Sequence, residues 1–355
     1  MGKKKKITPL SELGEFGLID HLTRNLKPGQ ESTVKGVGDD AAVLDYKGKK
    51  MVITTDLLVE GIHFNLVYSP LKHLGYKSVI VNLSDVYAMN GHPRQVLVSL
   101  AISAKFSVEA MEQLYEGIRL ACEKYGVDLV GGDTTTSLTG LTINVVAIGE
   151  VEKGSMTYRN TARVNDLICV SGDLGAAYMG LQLLERERKV FSESGESIQP
   201  DLSSYDYILS RQLKPEARKD VVESLRDHHI VPSAMIDLSD GLSSDLMHIC
   251  KQSGLGCRIF LDRIPIADET DRAAREMNIE PFIAALNGGE DYELLFTVPL
   301  NHHDELKKIK GISVIGHIAE KKAGMKFVTV QGSEIDLQAQ GWNSFGEGGA
   351  SASRI

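Results

Sequence analysis

The sequence predicts a mixed α/β protein, of the α+β type, with two domains. Expected strands and helices alternate in both halves of the chain, and a length of 355 residues suits about two domains. A polar stretch at residues 152–165, which contains Gly154 and Asn160, separates the two halves. We therefore expect one domain over residues 1–152 and a second over residues 153–355.

Periodicity and turn signals define the elements of the N-terminal half. Apolar runs at residues 41–44 and 51–53, separated by the turn-like segment 47–49, predict a β-hairpin. The clearest helix follows Ser107, an N-capping residue, and ends at Gly126, which can adopt the left-handed conformation that stops a helix. The other expected elements are helices over residues 11–26 and 71–89, and strands over residues 95–102, 127–130 and 141–148.

The C-terminal half repeats this alternation. Short apolar runs predict strands, and amphipathic stretches between them predict helices. The expected strands cover residues 167–170, 233–237, 292–298 and 312–318. The expected helices cover residues 174–187, 215–227 and 240–253.

Charge and cysteine content exclude several classes of function. The chain carries 39 Lys and Arg against 48 Asp and Glu, a net charge of −9, so it lacks the basic surface that binds a nucleic-acid backbone. No run reaches the roughly 18 apolar residues of a membrane span, and no apolar signal core follows the N-terminal lysines. The four cysteines form no CxxC pair, which suits a reducing compartment. We expect a cytoplasmic protein.

Acidic residues next to glycines recur along the chain, mostly beside expected strands. Asp56 and Asp85 add two further acids in similar settings. Crowded carboxylates repel one another unless cations compensate, and hard oxygen ligands without Cys or His favour Mg²⁺. Because Mg²⁺ commonly bridges carboxylates to phosphates, the pattern predicts phosphate chemistry. The clusters are Gly36-Val-Gly-Asp-Asp40, Gly131-Gly-Asp133, Ser171-Gly-Asp173, Asp237-Leu-Ser-Asp-Gly241 and Gly288-Gly-Glu-Asp291.

The common phosphate-binding and hydrolase motifs are absent from the sequence. It contains no GxxxxGK[ST] loop, no GxGxxG at a strand–helix junction, and no HRD with DFG. GxSxG and HExxH are also missing. A P-loop protein, a dinucleotide-binding fold and a protein kinase are therefore not supported.

The order of the acidic clusters resembles the thiamine-monophosphate kinase family, in the superfamily of aminoimidazole ribonucleotide synthetase. The resemblance extends over about residues 14–345, and six motifs in one order are far more specific than any one of them. It implies two α/β domains of the synthetase-like fold with an ATP cleft between them, and an N-terminal sheet that pairs with that of a second subunit in a homodimer. The motifs are Gly36-Val-Gly-Asp-Asp40, Thr54-Thr-Asp56 with Gly61-Ile-His-Phe64, Asn82-Leu-Ser-Asp85, Gly131-Gly-Asp-Thr-Thr135, Ile236-Asp-Leu-Ser-Asp-Gly241 and Gly289-Glu-Asp-Tyr-Glu293.

The resemblance also implies a role for each matching residue. Several Mg²⁺ ions would be ligated by Asp40, Thr54, Thr55, Asp56, Asp85, Asp133, Asp237 and Asp240. ATP, the co-substrate, would contact Tyr115, Gly132, Asp133, Arg159 and Ser239. Thiamine monophosphate would contact His63, Glu290 and Trp342. Trp342 is the only tryptophan, and its flat indole could stack on a cationic heteroaromatic ring.

This resemblance implies a kinase that acts without a covalent intermediate. Donor and acceptor are both anions, so their repulsion must be cancelled before they can align. An ionised phosphate oxygen is already a nucleophile, so no protein nucleophile is expected. We expect direct in-line transfer from ATP to thiamine monophosphate.

Relatives in the same superfamily are the alternative enzymes. A selenophosphate synthetase is expected to carry a reactive Cys in an N-terminal glycine-rich segment, whereas the first cysteine here is Cys122. The hydrogenase maturation relative is expected to end in a cysteine, and this sequence does not. Aminoimidazole ribonucleotide synthetase stays open, although the proposed thiamine contacts do not favour it. A protein that senses nucleotides by holding Mg-ATP without turnover is the alternative from a different class.

Overall fold

A computed structural model describes residues 18, 21–35, 43–44, 50–152, 154–194 and 202–338. The chain divides into two compact units, which we call unit 1 and unit 2. Unit 1 comprises Met1–Val86 and Gly91–Glu152, and unit 2 comprises Tyr87–Asn90 and Lys153–Ile355. Asp40 and Trp342, two of the predicted site residues, lie outside the described residues, as does most of the helix expected over residues 11–26.

Unit 1 contains a four-stranded sheet in the order β3-β6-β4-β5, in which only the β4–β5 pair is parallel. Its long helices are α1, which continues into unit 2 at Tyr87, and α2. The described elements, in chain order, are β1 (Thr33–Lys35), β2 (Val43–Leu44), β3 (Lys50–Val59), α1 (Leu71–Ala88), β4 (His92–Ser103), α2 (Val108–Tyr125), β5 (Asp128–Ser137) and β6 (Thr142–Val151).

The two faces of this sheet differ in exposure. Side chains alternate along a strand, and residues such as Val98 of β4 and Ile143 of β6 are fully buried on one face. On the other face, Met51, Ile53 and Leu57 of β3 keep 44%, 64% and 53% of their surface exposed. Unit 1 therefore presents a row of apolar side chains on one side of its edge strand.

The structure confirms the clearest helix and corrects the predicted hairpin. Ser107 caps α2 by accepting a hydrogen bond from the Ala110 amide, and Gly126 ends it at φ 67°. The hairpin is wrong: β3 pairs with all ten residues of β6, and β2 pairs with β1. The turn-like segment suggested a local partner, but a ten-residue strand gains more pairing from the distant strand of equal length.

Unit 2 is built on a seven-stranded sheet in the order β13-β12-β9-β11-β7-β10-β8, in which only the β12–β9 pair is parallel. Its described elements, in chain order, are β7 (Leu167–Ser171), α3 (Ala176–Ser194), α4 (Asp206–Leu213), α5 (Lys219–Asp227), β8 (Ala234–Asp237), α6 (Leu242–Ser253), β9 (Gly256–Phe260), α7 (Asp268–Glu276), α8 (Pro281–Asn287), β10 (Leu294–Val298), α9 (His303–Leu306), β11 (Ile312–Ala319), β12 (Met325–Val328) and β13 (Glu334–Asp336).

Two apolar clusters stabilise unit 2. In the larger one, Leu246 and Ile249 of α6 pack with sheet residues such as Ile168. In the smaller one, Met179 of α3 packs with Ile208 of α4 and with residues of α7 and α8. The predicted α/β class is confirmed. Among the described helices, none has both the length and the apolar composition needed to cross a lipid bilayer.

Candidate active site

In unit 1, strand β3 and helix α1 bring predicted metal ligands together. Thr54 and Asp56 point to the same side of β3, because side chains alternate along a strand. The Thr54 hydroxyl donates a 2.5 Å hydrogen bond to Oδ2 of Asp85 on α1. One turn earlier on α1, the Asn82 side-chain oxygen accepts a 3.0 Å hydrogen bond from the Asp56 amide. Burial, together with the charge of Asp85, raises the pKa of Asp56 to about 6.

Thr55 points to the other side of the sheet. Its hydroxyl accepts a 2.8 Å hydrogen bond from the side-chain amide of Asn144 on β6, which also donates to the Asp56 carbonyl. The Thr55 hydroxyl is therefore separated from the Asp56 and Asp85 carboxylates by the strand itself. The structure does not bring this predicted ligand together with the other two.

Gly132 and Asp133 lie on β5, beside β4. A Cβ atom at Gly132 would lie 1.7 Å from the Val98 carbonyl oxygen, so only glycine fits at this position. Asp133 follows, paired in register with Ser99, and its side chain is exposed. Tyr115 is on α2, where burial raises the pKa of its phenol to about 12, so it stays a hydrogen-bond donor at neutral pH.

His63 lies in a tight turn after β3. The Val59 amide donates a 3.0 Å hydrogen bond to the ring nitrogen Nδ1 of His63, so in the neutral ring the proton is on Nε2. Glu60 anchors the same turn, because its carboxylate accepts a 2.8 Å bond from the Leu141 amide. The turn thus presents the imidazole as a donor at Nε2.

In unit 2, two of the predicted motifs are joined backbone to backbone. The Glu290 amide donates to the Ser239 carbonyl at 2.9 Å, and the Tyr292 amide donates to the Leu238 carbonyl at the same distance. A Cβ atom at Gly289 would lie 2.4 Å from the Ser239 carbonyl oxygen, so this approach requires a residue without a side chain. A predicted ATP contact, Ser239, and a predicted acceptor contact, Glu290, are therefore neighbours.

Three carboxylates gather around the first of these motifs. Asp237 is buried at the end of β8, and Asp245 accepts hydrogen bonds from the Asp240 and Gly241 amides at 3.2 and 3.1 Å. Burial, helped by the charges of Asp237 and Asp240, raises the pKa of Asp245 to about 8. Burial also raises the pKa of Asp240, and the neighbouring His248 and Arg159 oppose that shift electrostatically. Arg159 is therefore close enough to Asp240 to interact with it electrostatically.

Comparison with known proteins identifies the family to which this arrangement belongs. Residues 38–151 match the family described as AIR synthase related protein, N-terminal domain. The thiamine-monophosphate kinase of Aquifex aeolicus (strain VF5) is 35% identical over 336 residues, which cover 95% of this chain and 99% of that protein. The chain belongs to the thiamine-monophosphate kinase family. The family inferred from six ordered motifs is thus confirmed.

Solved structures of thiamine-monophosphate kinases share the fold. The crystal structure of the enzyme from Stenotrophomonas maltophilia K279a has a TM-score of 0.75 and 30% identity, and covers 91% of this chain and 98% of its own. The structure of AaThiL complexed with AMPPCP and TMP has a TM-score of 0.72 and 33% identity, and covers 95% of this chain and 98% of its own. Both likenesses extend over most of each chain.

Predicted Mg²⁺ ligands occur in both units of the described chain. Asp56, Asp85 and the Thr54 hydroxyl lie in unit 1, and Asp237 and Asp240 lie in unit 2. All are hard oxygen donors, and the crowding that raises the pKa of Asp56 would be relieved by a cation. No group of three or more His, Cys, Asp or Glu that could hold a metal ion occurs among the residues that the structure describes.

Sequence reasoning missed a set of buried charges in unit 2. Glu293 is fully buried and forms ion pairs with Arg211 of α4 at 2.8 Å and with Arg218 at 2.6 Å. Its second oxygen also accepts a hydrogen bond from the Ser171 hydroxyl. Asp291 accepts a 2.7 Å bond from the Gly175 amide, just before α3. The only signal in the sequence was that both acids lie in the Gly289-Glu-Asp-Tyr-Glu293 motif.

Proposed function

We propose that this protein is a thiamine-monophosphate kinase, which transfers the terminal phosphoryl group of ATP to thiamine monophosphate and forms thiamine diphosphate. The observation that carries the proposal is similarity over nearly the whole length to a thiamine-monophosphate kinase. A structural neighbour was solved with AMPPCP, an analogue of ATP, and TMP, which supports the same pair of substrates. The two joined motifs of unit 2, one proposed for each substrate, agree with such a site.

We propose that several Mg²⁺ ions bind to the acidic clusters. Bound Mg²⁺ would neutralise the phosphate charges that keep donor and acceptor apart. Hard oxygens and a raised pKa at Asp56 support a cation at β3 and α1. Thr55 would not contribute its hydroxyl to the same cluster as Asp85, because it points to the other side of β3. The proposed ligands are therefore Asp40, Thr54, Asp56, Asp85, Asp133, Asp237 and Asp240.

The chain's own residues would bind and align the two substrates. The proposed ATP contacts are Tyr115, Gly132, Asp133, Arg159 and Ser239. His63 would donate from Nε2 to the acceptor phosphate, in keeping with the tautomer that its hydrogen bond to Val59 sets. Glu290 would attract the cationic heterocycle, and Trp342 would stack on it. Transfer would be direct and in line, with no phosphoenzyme.

We propose that the protein is a homodimer in which the apolar sheet face of unit 1 is covered by the partner. Met51, Ile53 and Leu57 lie in a row on this face, with about half of their surface exposed. Burying such a row against a second copy removes apolar surface from water, which stabilises the dimer by about 25 cal/mol for each Å² buried.

We also propose a cytoplasmic location, which agrees with the need for ATP. The four described cysteines are buried and form no disulfides, as in a reducing compartment.

The proposed function is tested by measuring ADP release with a panel of phosphorylated acceptors in the presence of Mg²⁺. Thiamine monophosphate should stimulate ADP formation, and thiamine diphosphate should accumulate in equal amount. Stimulation by an aminoimidazole precursor alone would move the assignment to the synthetase branch of the superfamily. Binding of ATP without turnover in the presence of any acceptor would make the protein a nucleotide sensor.

A further inference from the structure

The segment that carries Glu290 has an unusual backbone. Glu290 has φ 66° and Tyr292 has φ 52°, so two of three consecutive residues occupy the left-handed region without being glycine. Such conformations persist where surrounding contacts hold them, and they cluster at functional sites. Something in unit 2 must therefore fix this segment.

Helix α4 provides two adjacent residues that contact it. Arg211 donates to the Glu293 carboxylate at 2.8 Å and, through Nη2, to the Asp291 carbonyl at 3.4 Å. Gln212, only 5% exposed, donates from Nε2 to Oε2 of Glu290 at 2.8 Å. Arg211 thus binds the Asp291 backbone and the Glu293 side chain, and Gln212 binds the side chain of Glu290.

The chemical difference between these two contacts is informative. A cationic partner such as Arg211 cancels the charge of the carboxylate that it binds. The neutral amide of Gln212 fixes the direction of a carboxylate and adds no charge of its own. A glutamate whose carboxylate is already held in one direction loses less rotamer freedom when it binds a ligand.

We infer that Gln212 is a positioning residue that holds the Glu290 carboxylate in the direction needed to bind a cationic acceptor. This inference rests on the proposed function, in which Glu290 contacts the positively charged heterocycle of thiamine monophosphate. Because Gln212 hydrogen-bonds the Glu290 carboxylate directly, its loss should weaken the affinity for the acceptor more than the affinity for ATP.

A double-mutant cycle tests this role. Gln212→Met removes the amide and keeps the length of the side chain, and it should raise the KM for thiamine monophosphate about 10-fold while the KM for ATP changes less than about 2-fold. In a Glu290→Ala background the same change should have less than about a 2-fold effect, because the bond it removes is already gone. Gln212→Asn, which shortens the donor by one methylene, serves if the methionine variant does not fold.

A control separates positioning from a loss of stability. Thr297→Val removes a buried hydroxyl of β10 that accepts a hydrogen bond from the Ala234 amide, at the end of the β10–β8 pair remote from Asp237. It should lower the thermal midpoint and leave the acceptor KM unchanged.

The outcomes distinguish the inference from the function on which it rests. If the wild-type protein does not form ADP in response to thiamine monophosphate, the proposed function is wrong. If it does, but Gln212→Met keeps the wild-type acceptor KM or raises it equally in the Glu290→Ala background, the positioning role is wrong.

Discussion

Replacing Asp56 by Asn should stabilise the metal-free protein and strongly reduce its activity. In the absence of a cation, the charged Asp56 carboxylate is partly buried and lies near the charge of Asp85, which raises its pKa from 3.8 to about 6. This rise in pKa corresponds to roughly 3 kcal/mol between the protonated and charged forms of Asp56. Asparagine carries no charge, so at pH 7.5 we expect a gain of about 1 to 3 kcal/mol, which is about 2 to 10 °C in the midpoint of a unit of this size.

The pH dependence gives the sign of the effect. Well below pH 3.8 the Asp56 carboxyl is protonated in both the folded and the unfolded chain. As the pH rises through about 6, the unfolded chain has already lost this proton and the folded protein must lose it at a cost, so the wild type loses stability in this window. The Asn variant has no such loss. The unfolding midpoint of Asp56→Asn should therefore rise above that of the wild type between pH 4 and 7. Above pH 7 the difference should stay constant.

Thermal unfolding in EDTA from pH 4.5 to 8, followed by activity with Mg²⁺ at pH 7.5, measures both effects. Activity should fall by about 10²-fold or more, as for other losses of single electrostatic stabilisers. Asp128→Asn is the matched control in the same unit, and it should lower the midpoint. Its carboxylate accepts hydrogen bonds from the Gly29 and Gln30 amides and the Thr33 hydroxyl, and an amide cannot accept them all. An Asp56→Asn protein that is less stable at every pH, or that keeps its activity, would refute the reasoning.

Three further predictions follow from other parts of the chain. Glu293→Gln should destabilise unit 2 by about 3 to 5 kcal/mol in urea unfolding, since Arg211 and Arg218 lose a buried counter-charge, and an unchanged midpoint would contradict this. Ile53→Asp should place a charge in the proposed dimer contact. Sedimentation should therefore give 38.8 kDa for the variant and about twice that mass for the wild type. A monomeric wild type would contradict the proposed dimer. Thiamine monophosphate should quench the fluorescence of Trp342, the only tryptophan in the sequence. Trp342→Ala should raise the KM for thiamine monophosphate about 5- to 30-fold and leave ATP binding nearly intact. An unchanged KM for thiamine monophosphate would count against stacking.

The sequence correctly predicted the features that depend on neighbouring residues, such as the two ends of α2. The cap at Ser107 and the left-handed Gly126 fixed both ends of α2, because these residues act on amides and carbonyls within one turn. The predicted hairpin failed because strand pairing depends on partners far along the chain. Sequence patterns show that a strand over residues 51–53 can form, but not that it extends over Lys50–Val59 and pairs with β6.

The contacts that position the candidate site were hidden for the same reason. Arg211 and Gln212 look like ordinary polar residues of an amphipathic helix, and their partners Glu293 and Glu290 lie 82 and 78 residues away. A buried ion pair and a surface one have the same appearance in a sequence. Only the packing of α4 against the segment after α8 shows that these side chains are held in place.

The glycines of two acidic clusters have a structural role that the motifs alone did not show. The sequence motifs include Gly132 and Gly289 because each stands next to an acidic residue. In the structure each meets a backbone carbonyl, of Val98 and of Ser239, at a distance that excludes any side chain. These contacts bring a second chain segment against the acidic one, so Asp133 lies beside β4 and Glu290 beside Ser239. At these two positions glycine permits close backbone approach between distant segments, and a side chain at either glycine should separate those segments.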